Sequence, residues 1–271
     1  MKRAPKIVPK KQMWRLFFNV FVPCIWVFVS VVTTQIVVGR IMVLMLGATT
    51  LSQPVWTAIY SAIVYLIAMV LIIGAPIALK RKVETKKKVR VLEEAKKMPE
   101  GQELRQDLGL AELPTWTDIG LAPVGFVVSL ILAAGLVALF TLFPWFDAEQ
   151  TQELGFSIYL SGMDRVVAFI TLVILAPIAE EIIFRGWLYG KLRERLNDST
   201  PGYTGKIVSI LLTSLLFGLI HFQWNVGVNV FCLSVVLCVM REITGTIYAG
   251  ILTHMIKNGV AFYLLYVLGI A

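Results

Sequence analysis

The sequence predicts an all-α membrane protein, a polytopic transmembrane helical bundle of about seven to eight spans. Of its 271 residues, 58% are hydrophobic and only 15% are charged, and the mean hydropathy is +0.79. A chain this apolar cannot cover itself with a polar surface, so most of it must lie in lipid. In addition, apolar runs of the length that crosses a bilayer recur along the chain with polar segments between them.

Each span requires about 20 mainly apolar residues. The runs that approach this length are 17–38, 55–79, 119–145, 165–188, 207–222, 228–240 and 246–269. The run 41–51 is only about half a span, and we expect it to be interfacial, re-entrant or the start of an eighth helix. We divide the chain into an N-terminal part, 1–118, with two spans and a basic loop, and a transmembrane core, 119–271.

The net charge of +8 comes mainly from Lys and Arg residues that flank the spans. They are concentrated before the first span and in the loop 80–118, which we expect to be a helical segment in water near the inner leaflet. This pattern predicts a multi-pass protein of the cell membrane with a cytoplasmic N-terminus, in contact with lipid and not with nucleic acid. The first run is too long for a signal peptide and has no cleavage site after it.

Ionisable and amide side chains within the later spans are the functional candidates, because a charge in hydrocarbon costs about 3 kcal/mol or more. They are Glu180, Glu181 and Arg185 in the fourth span, His221 in the fifth, and His254 with Asn258 in the seventh. Residues four apart share a helix face, so the spacing predicts a buried ion pair between Glu181 and Arg185. Glu180 is rotated from that face by about 100° and can point elsewhere, beside a helix that Pro177 weakens.

His221 can act with Glu180 only if both lie at the same depth in the membrane. A fifth helix that crosses the whole membrane would instead leave His221 at the outer surface. The run 228–240 would be only about 20 Å long as a helix, too short to cross the hydrocarbon. We therefore expect the turn 223–227 to lie inside the protein at membrane depth. This turn would bring His221 to the level of Glu180 and His254.

A partly desolvated carboxylate beside a histidine can take a proton from water, while a second histidine and an amide can donate hydrogen bonds to an oxyanion. Alternatively, one glutamate and two histidines can bind zinc and leave a fourth position for water. The residues alone leave both mechanisms open. Serine and aspartyl mechanisms have no candidate motif. Cys24, Cys232 and Cys238 lie in apolar runs and are interpreted as packing residues.

Three segments resemble motifs of the CAAX protease and bacteriocin-processing (CPBP, or Abi) family, which includes the prenyl endopeptidase Rce1. EEIIFR at 180–185 fits EExxxR, FGLIH at 217–221 fits FxxxH, and HMIKN at 254–258 fits HxxxN. The resemblance extends over about residues 120–270. It implies an all-α membrane fold with a conical polar cavity and a glutamate-dependent endopeptidase.

By motif, the resemblance implies that Glu180 and His221 activate water, that His254 and Asn258 stabilise the oxyanion, and that Glu181 and Arg185 support the site. Asn225, four residues after His221, is a lesser candidate for the amide role. Activated water would need no cofactor, although the family is often labelled metalloprotease, so zinc held by Glu180, His221 and His254 remains an alternative.

The implied substrate is a membrane-associated peptide or a lipidated protein, such as a prenylated CAAX or bacteriocin-type peptide. Two other classes of function stay open. One is a non-enzymatic multi-pass scaffold or immunity protein. The other is a proton-coupled transporter, which would also bury Glu and His but would more often have repeated halves, and these are not evident in the sequence.

Overall fold

The structure is a computed structural model that describes residues 10–79, 100–147, 156, 160, 162–199 and 203–270. Within these residues the regular secondary structure is entirely helical. The described part of the chain forms nine helices: α1 (Lys10–Leu46), α2 (Ala48–Leu51), α3 (Pro54–Met69), α4 (Glu100–Asp107), α5 (Trp116–Phe140), α6 (Gly162–Phe169, continued through Gly190–Ser199), α7 (Tyr203–Leu219), α8 (Trp224–Thr244) and α9 (Tyr248–Phe262). Wider π-helical turns extend α3 over Val70–Gly74 and α9 over Tyr263–Val267, and interrupt α6 at Ile170–Leu175 and Ile182–Tyr189.

The predicted polytopic helical bundle is confirmed. Five helical segments of the described chain are long and apolar enough to cross a membrane: Phe17–Leu46, Pro54–Leu79, Trp116–Phe140, Gly162–Asn197 and Trp224–Thr244. The predicted runs 207–222 and 246–269 correspond to α7, a shorter apolar helix, and to α9 with its π-helical extension.

The run 41–51 forms the end of α1 and the turn that follows it. Helix α1 continues to Leu46, and Gly47 then adopts a left-handed φ of 79°, which L side chains rarely adopt. A single helical turn, α2, leads to Pro54 at the start of α3, where proline is favourable because the first turn needs no backbone donor. The run is therefore part of a hairpin between α1 and α3. We call the end of the bundle that contains this turn the hairpin end.

The expectation of a short sixth span is wrong. Helix α8 runs from Trp224 to Thr244, so its 21 residues measure about 31 Å. Hydropathy placed its end at Met240, yet the helix continues to Thr244 and is followed by a left-handed Gly245 with φ of 74°.

The short helix is α7 instead, with 17 residues and a length of about 25 Å. Because α7 ends at Leu219, the turn that contains His221 follows before a full crossing of the hydrocarbon. The turn lies at 220–223 and not at the expected 223–227, because residues 224–227 form the first turn of α8.

The end opposite the hairpin is tightly packed and rich in charge, and we call it the basic end. Part of the predicted solvated loop packs here, since Leu108 is buried and Leu104 adjoins the same apolar cluster. Arg241 donates hydrogen bonds to the carbonyls of Asp107 and Leu108, at 2.8 and 3.0 Å. Residues 100–110 are therefore part of the bundle, whereas 80–99 lie outside the described residues.

One apolar cluster joins the N-terminal helices to the later ones. Val27 of α1 and Ile72 beyond α3 are both fully buried, and they pack in the same cluster as Leu188 and Phe217. The division at residue 118 stays a prediction.

Candidate active site

The predicted ion pair between Glu181 and Arg185 is present within α6. Arg185 Nη1 donates to Glu181 Oε1 at 2.7 Å, and both side chains are almost fully buried. The Arg185 guanidinium also lies over the ring of Phe217, with its Cζ 4.4 Å from the ring centroid. The i, i+4 spacing explains the pair, and the aromatic ring explains why the cation tolerates burial.

Glu181 also contacts His254, which the sequence did not reveal. Its Oε1 lies 3.2 Å from His254 Nδ1. Because a carboxylate can only accept, this contact assigns a proton to Nδ1. The other ring nitrogen, Nε2, then faces Glu180 Oε2 at 3.8 Å. Glu181 therefore orients a histidine from α9 in addition to pairing with Arg185.

Glu180 points away from this ion pair, as the rotation of about 100° between adjacent helical residues predicts. Its Oε1 accepts a hydrogen bond from the hydroxyl of Tyr65 at 2.7 Å, while Oε2 is turned toward His254. The carboxylate side chain is 16% exposed, in contrast to the fully buried Glu181. Adjacent glutamates thus have different environments, and only Glu180 reaches open space.

His221 lies in the turn after α7, where its Nδ1 is 2.8 Å from the carbonyl oxygen of Phe217. A carbonyl only accepts, so Nδ1 carries the proton and Nε2 keeps a lone pair. Phe217 is fully buried and contacts the rings of both histidines, with centroids 5.2 Å from His221 and 6.0 Å from His254. This phenyl ring supports both imidazoles from the apolar core.

Asn258 lies one turn after His254 on α9. Its Nδ2 donates to the carbonyl of Leu172 at 2.8 Å, and Leu172 belongs to the π-helical segment Ile170–Leu175 that precedes Pro177. A side-chain amide has two N–H groups, so one remains for another acceptor. The lesser candidate, Asn225, is in the first turn of α8 and does not line the cavity described next.

Glu180, His221, His254 and Asn258 line one cavity of about 690 Å³, which also receives side chains from α1 and α3. The lining residues nearest the basic end are Val31 on α1 and Ala68 on α3. One helical turn further toward that end, Val27 and Ile72 are fully buried and close the cavity. Toward the hairpin end the lining becomes more polar and more exposed, as at Gln35. The four predicted catalytic residues are therefore brought together, although their roles stay predictions.

Two polar residues that line this cavity, Tyr65 and Lys257, were not predicted from the sequence. Lys257 is an ionisable residue within the seventh predicted span and met the criterion that selected His254. Tyr65 follows Thr57 and Ser61 at helical spacing in an otherwise apolar helix, so a polar stripe on α3 was visible in the sequence. The stripe did not indicate which partner it faces.

The choice between zinc and activated water stays a prediction. Among the described residues, no group of three or more His, Cys, Asp and Glu side chains is placed to hold a metal ion. Glu180 Oε2 and His254 Nε2 approach each other at 3.8 Å, while Tyr65 and Glu181 contact the other polar atom of each side chain. Contacts of this kind also orient the ligands of metal sites, so they fit either mechanism.

A second cavity of about 580 Å³ adjoins the first, because Phe222 and Gln223 line both. Its other lining residues are mainly apolar and lie near the end of α5, on α7 and on α8. They include Phe140, Trp145 and Phe231. An apolar space therefore lies next to the polar one.

Comparison with known proteins identifies one family. Residues 162–260 match the family described as Rce1-like, type II CAAX prenyl endopeptidase Rce1-like. The matched segment contains all three motifs and every predicted catalytic residue, so the resemblance inferred from those motifs is confirmed. No curated protein and no solved structure shows a significant match to the chain.

Proposed function

We propose that this chain, whose residues 162–260 match the Rce1-like family, is an intramembrane endopeptidase that uses Glu180 to hydrolyse a membrane-associated peptide. The family match indicates a protease of the CAAX type. The glutamate mechanism, the residue roles and the substrate are our proposal. The observation on which it rests is the position of Glu180, which presents one carboxylate oxygen to a cavity shared with both histidines.

In this mechanism Glu180 Oε2 takes a proton from a water molecule, and the neutral Nε2 of His221 accepts the second water hydrogen bond. The water oxygen attacks the carbonyl carbon of the scissile peptide. Negative charge develops on the carbonyl oxygen, which accepts hydrogen bonds from His254 Nε2–H and from the remaining N–H of Asn258. Glu180 then returns the proton to the leaving amine as the C–N bond breaks.

The surroundings of His254 support its proposed role as a donor. To donate through Nε2 while Nδ1 donates to Glu181, the ring must be an imidazolium. The carboxylates of Glu180 and Glu181, at 3.8 and 3.2 Å from its two nitrogens, stabilise that positive charge. Arg185 compensates the charge of Glu181 and keeps this carboxylate in place.

The adjoining apolar cavity supports a substrate that carries a hydrophobic group. Its aromatic lining at Phe140, Trp145 and Phe231 can pack against the hydrocarbon chain of a substrate whose peptide lies in the adjoining polar cavity. A prenylated or acylated peptide fits this arrangement.

The closed end of the cavity favours hydrolysis over proton-coupled transport. A transporter needs access to its site from both sides of the membrane. Here the packed cluster around Val27 and Ile72 lies between the cavity and the basic end. With the N-terminus in the cytoplasm, which we propose from the charge pattern, the open hairpin end would face the outer side.

The first experiment compares membranes from cells that express the wild type or Glu180→Gln. Mass spectrometry of membrane peptides is expected to find a cleaved product only with the wild type. A quenched fluorescent peptide with a farnesyl or palmitoyl chain, in liposomes with purified protein, then gives the rate. Equal cleavage by the wild type and Glu180→Gln would contradict the proposal. If neither protein cleaves any peptide, the result would favour the hypothesis of a non-enzymatic scaffold.

A metal assay tests the absence of a cofactor in this mechanism. We expect purified active protein to contain zinc well below one equivalent and to keep its rate after chelation and buffer exchange. Loss of activity on chelation, restored by zinc, would instead support the three-ligand alternative.

A further inference from the structure

We infer that Tyr65 is a positioning residue for Glu180, and that α3 therefore completes the active site from outside the family-matched segment 162–260. The inference rests on the proposed function, because it specifies how the water-activating carboxylate is held. Tyr65 lies 115 positions before Glu180 in the chain, and nothing in the three motifs refers to it.

The contact between Tyr65 and Glu180 is short and directional. The Tyr65 hydroxyl donates to Oε1 at 2.7 Å, a typical length for an O–H group bound to a carboxylate. Within the described residues, Glu180 makes no other side-chain hydrogen bond, and its approach to His254 is a longer 3.8 Å. The orientation of the carboxylate therefore depends on Tyr65.

This orientation decides which oxygen reacts. With Oε1 occupied by the hydroxyl, Oε2 is the oxygen that faces His254 and the open cavity. A glutamate side chain has three rotatable bonds, so without this anchor the carboxylate would sample positions that do not face the substrate. Tyr65 thus selects Oε2 as the base.

Tyr60 supplies a matched control on the same helix. It precedes Tyr65 by five residues, toward the hairpin end, and lines the same cavity, but its hydroxyl donates to the backbone carbonyl of Gln35 at 3.2 Å. Replacement of either tyrosine by phenylalanine removes one hydroxyl and keeps the ring. Only Tyr65→Phe removes a contact with Glu180.

The kinetic experiment measures kcat and KM of Tyr65→Phe and Tyr60→Phe with a lipidated fluorescent peptide in liposomes. For Tyr65→Phe we expect kcat to fall by about 10- to 100-fold, the effect of losing one hydrogen bond to a charged group, while KM changes by less than about twofold. For Tyr60→Phe, which changes the lining of the cavity but keeps the contact with Glu180, we expect a loss in kcat at least about fivefold smaller than for Tyr65→Phe. A Tyr65→Phe enzyme with wild-type kcat would overturn the inference.

A double-mutant cycle distinguishes positioning from a general packing role. Glu180→Asp shortens the side chain so that it no longer reaches the Tyr65 hydroxyl. If Tyr65 acts through Glu180, then adding Tyr65→Phe to Glu180→Asp should lower kcat by less than about twofold. An undiminished 10- to 100-fold loss in that background would show that the hydroxyl acts elsewhere.

Infrared spectroscopy gives a readout that does not depend on activity. The carboxylate band of Glu180 is assigned by its disappearance in Glu180→Gln. We expect this band to shift in Tyr65→Phe and to stay in place in Tyr60→Phe. If no peptide is cleaved, the proposed function fails while the shift still supports the contact, whereas an unshifted band overturns the role of Tyr65.

Discussion

Two charged clusters occupy the same bundle, and their hydrogen bonding is different. At the basic end, Glu242 accepts three bonds of 2.7 Å, from the Tyr189 hydroxyl, from Arg193 Nε and from Lys206 Nζ. These donors come from α6 and α7, whereas Glu242 belongs to α8. The cluster therefore ties three helices together and leaves neither carboxylate oxygen without a donor, although Arg193 Nη1 has no hydrogen-bond partner among the described residues.

The cluster around Glu180 is less complete. Among the described residues, Glu181 Oε2 and the Nε and Nη2 atoms of Arg185 have no hydrogen-bond partner, although all are buried. Within the part of the chain that the structure describes, Glu180 Oε2 and His221 Nε2 make no hydrogen bond, and both residues line the cavity. Buried donors and acceptors without a hydrogen-bond partner lower the stability of the folded protein.

The difference separates a structural charge cluster from a chemical one. A cluster that only joins helices is most stable when every donor and acceptor is paired. A cluster that binds water and substrate must keep some donors and acceptors unpaired. The loss of folding stability that this causes must be offset by packing elsewhere in the protein. Substitutions in the two clusters should therefore affect different properties.

The largest effect is expected for Glu180→Gln. The amide cannot take a proton from water, so we expect the cleavage rate to fall by about three orders of magnitude, within the range for general acid–base catalysis. Because Gln has nearly the same shape, the midpoint of thermal unfolding in detergent should change little. A large loss of both activity and stability would place Glu180 with the structural residues instead.

For Arg185→Met we expect a loss of stability of about 3–5 kcal/mol, because the buried Glu181 would lose the 2.7 Å contact with its guanidinium partner. Chemical denaturation in detergent measures this change. The double variant Glu181→Met/Arg185→Met should recover much of the lost stability and yet remain poorly active, because His254 loses its acceptor. A stable and fully active double variant would contradict the role given to Glu181.

Asn258→Ala should lower kcat by about 100-fold, the typical effect of removing one donor to an oxyanion. Asn225→Ala is the comparison, since Asn225 lies outside the lining of the cavity and should leave kcat within about threefold. The liposome assay measures both. If the Asn225 variant were the slower one, the amide role would pass to that residue.

The smallest effect is expected for Glu242→Gln at the basic end. This carboxylate is partly exposed, so its loss should cost about 1–2 kcal/mol of stability with little change in the cleavage rate. Thermal unfolding and the liposome assay are compared on the same preparation. A strong loss of activity at unchanged stability would remove the distinction between the two clusters.

Local spacing predicted much of this protein. The four-residue separation of Glu181 and Arg185 predicted their ion pair, and the length of the apolar runs predicted the membrane helices. The end of α8 shows how hydropathy can mislead, because a helix can extend past the bilayer with charged residues at its end. Gly245 was the better signal, since a left-handed glycine terminates a helix whatever the polarity of the preceding residues.

The sequence by itself determined the fold class, the three motifs and the different directions of Glu180 and Glu181, because these follow from composition and from helical periodicity. Only the tertiary structure decided that Glu181 orients His254, that Tyr65 holds Glu180 and that packing closes one end of the cavity. Such contacts join residues far apart in the chain. They depend on how helices pack and rotate against each other, which no local pattern specifies.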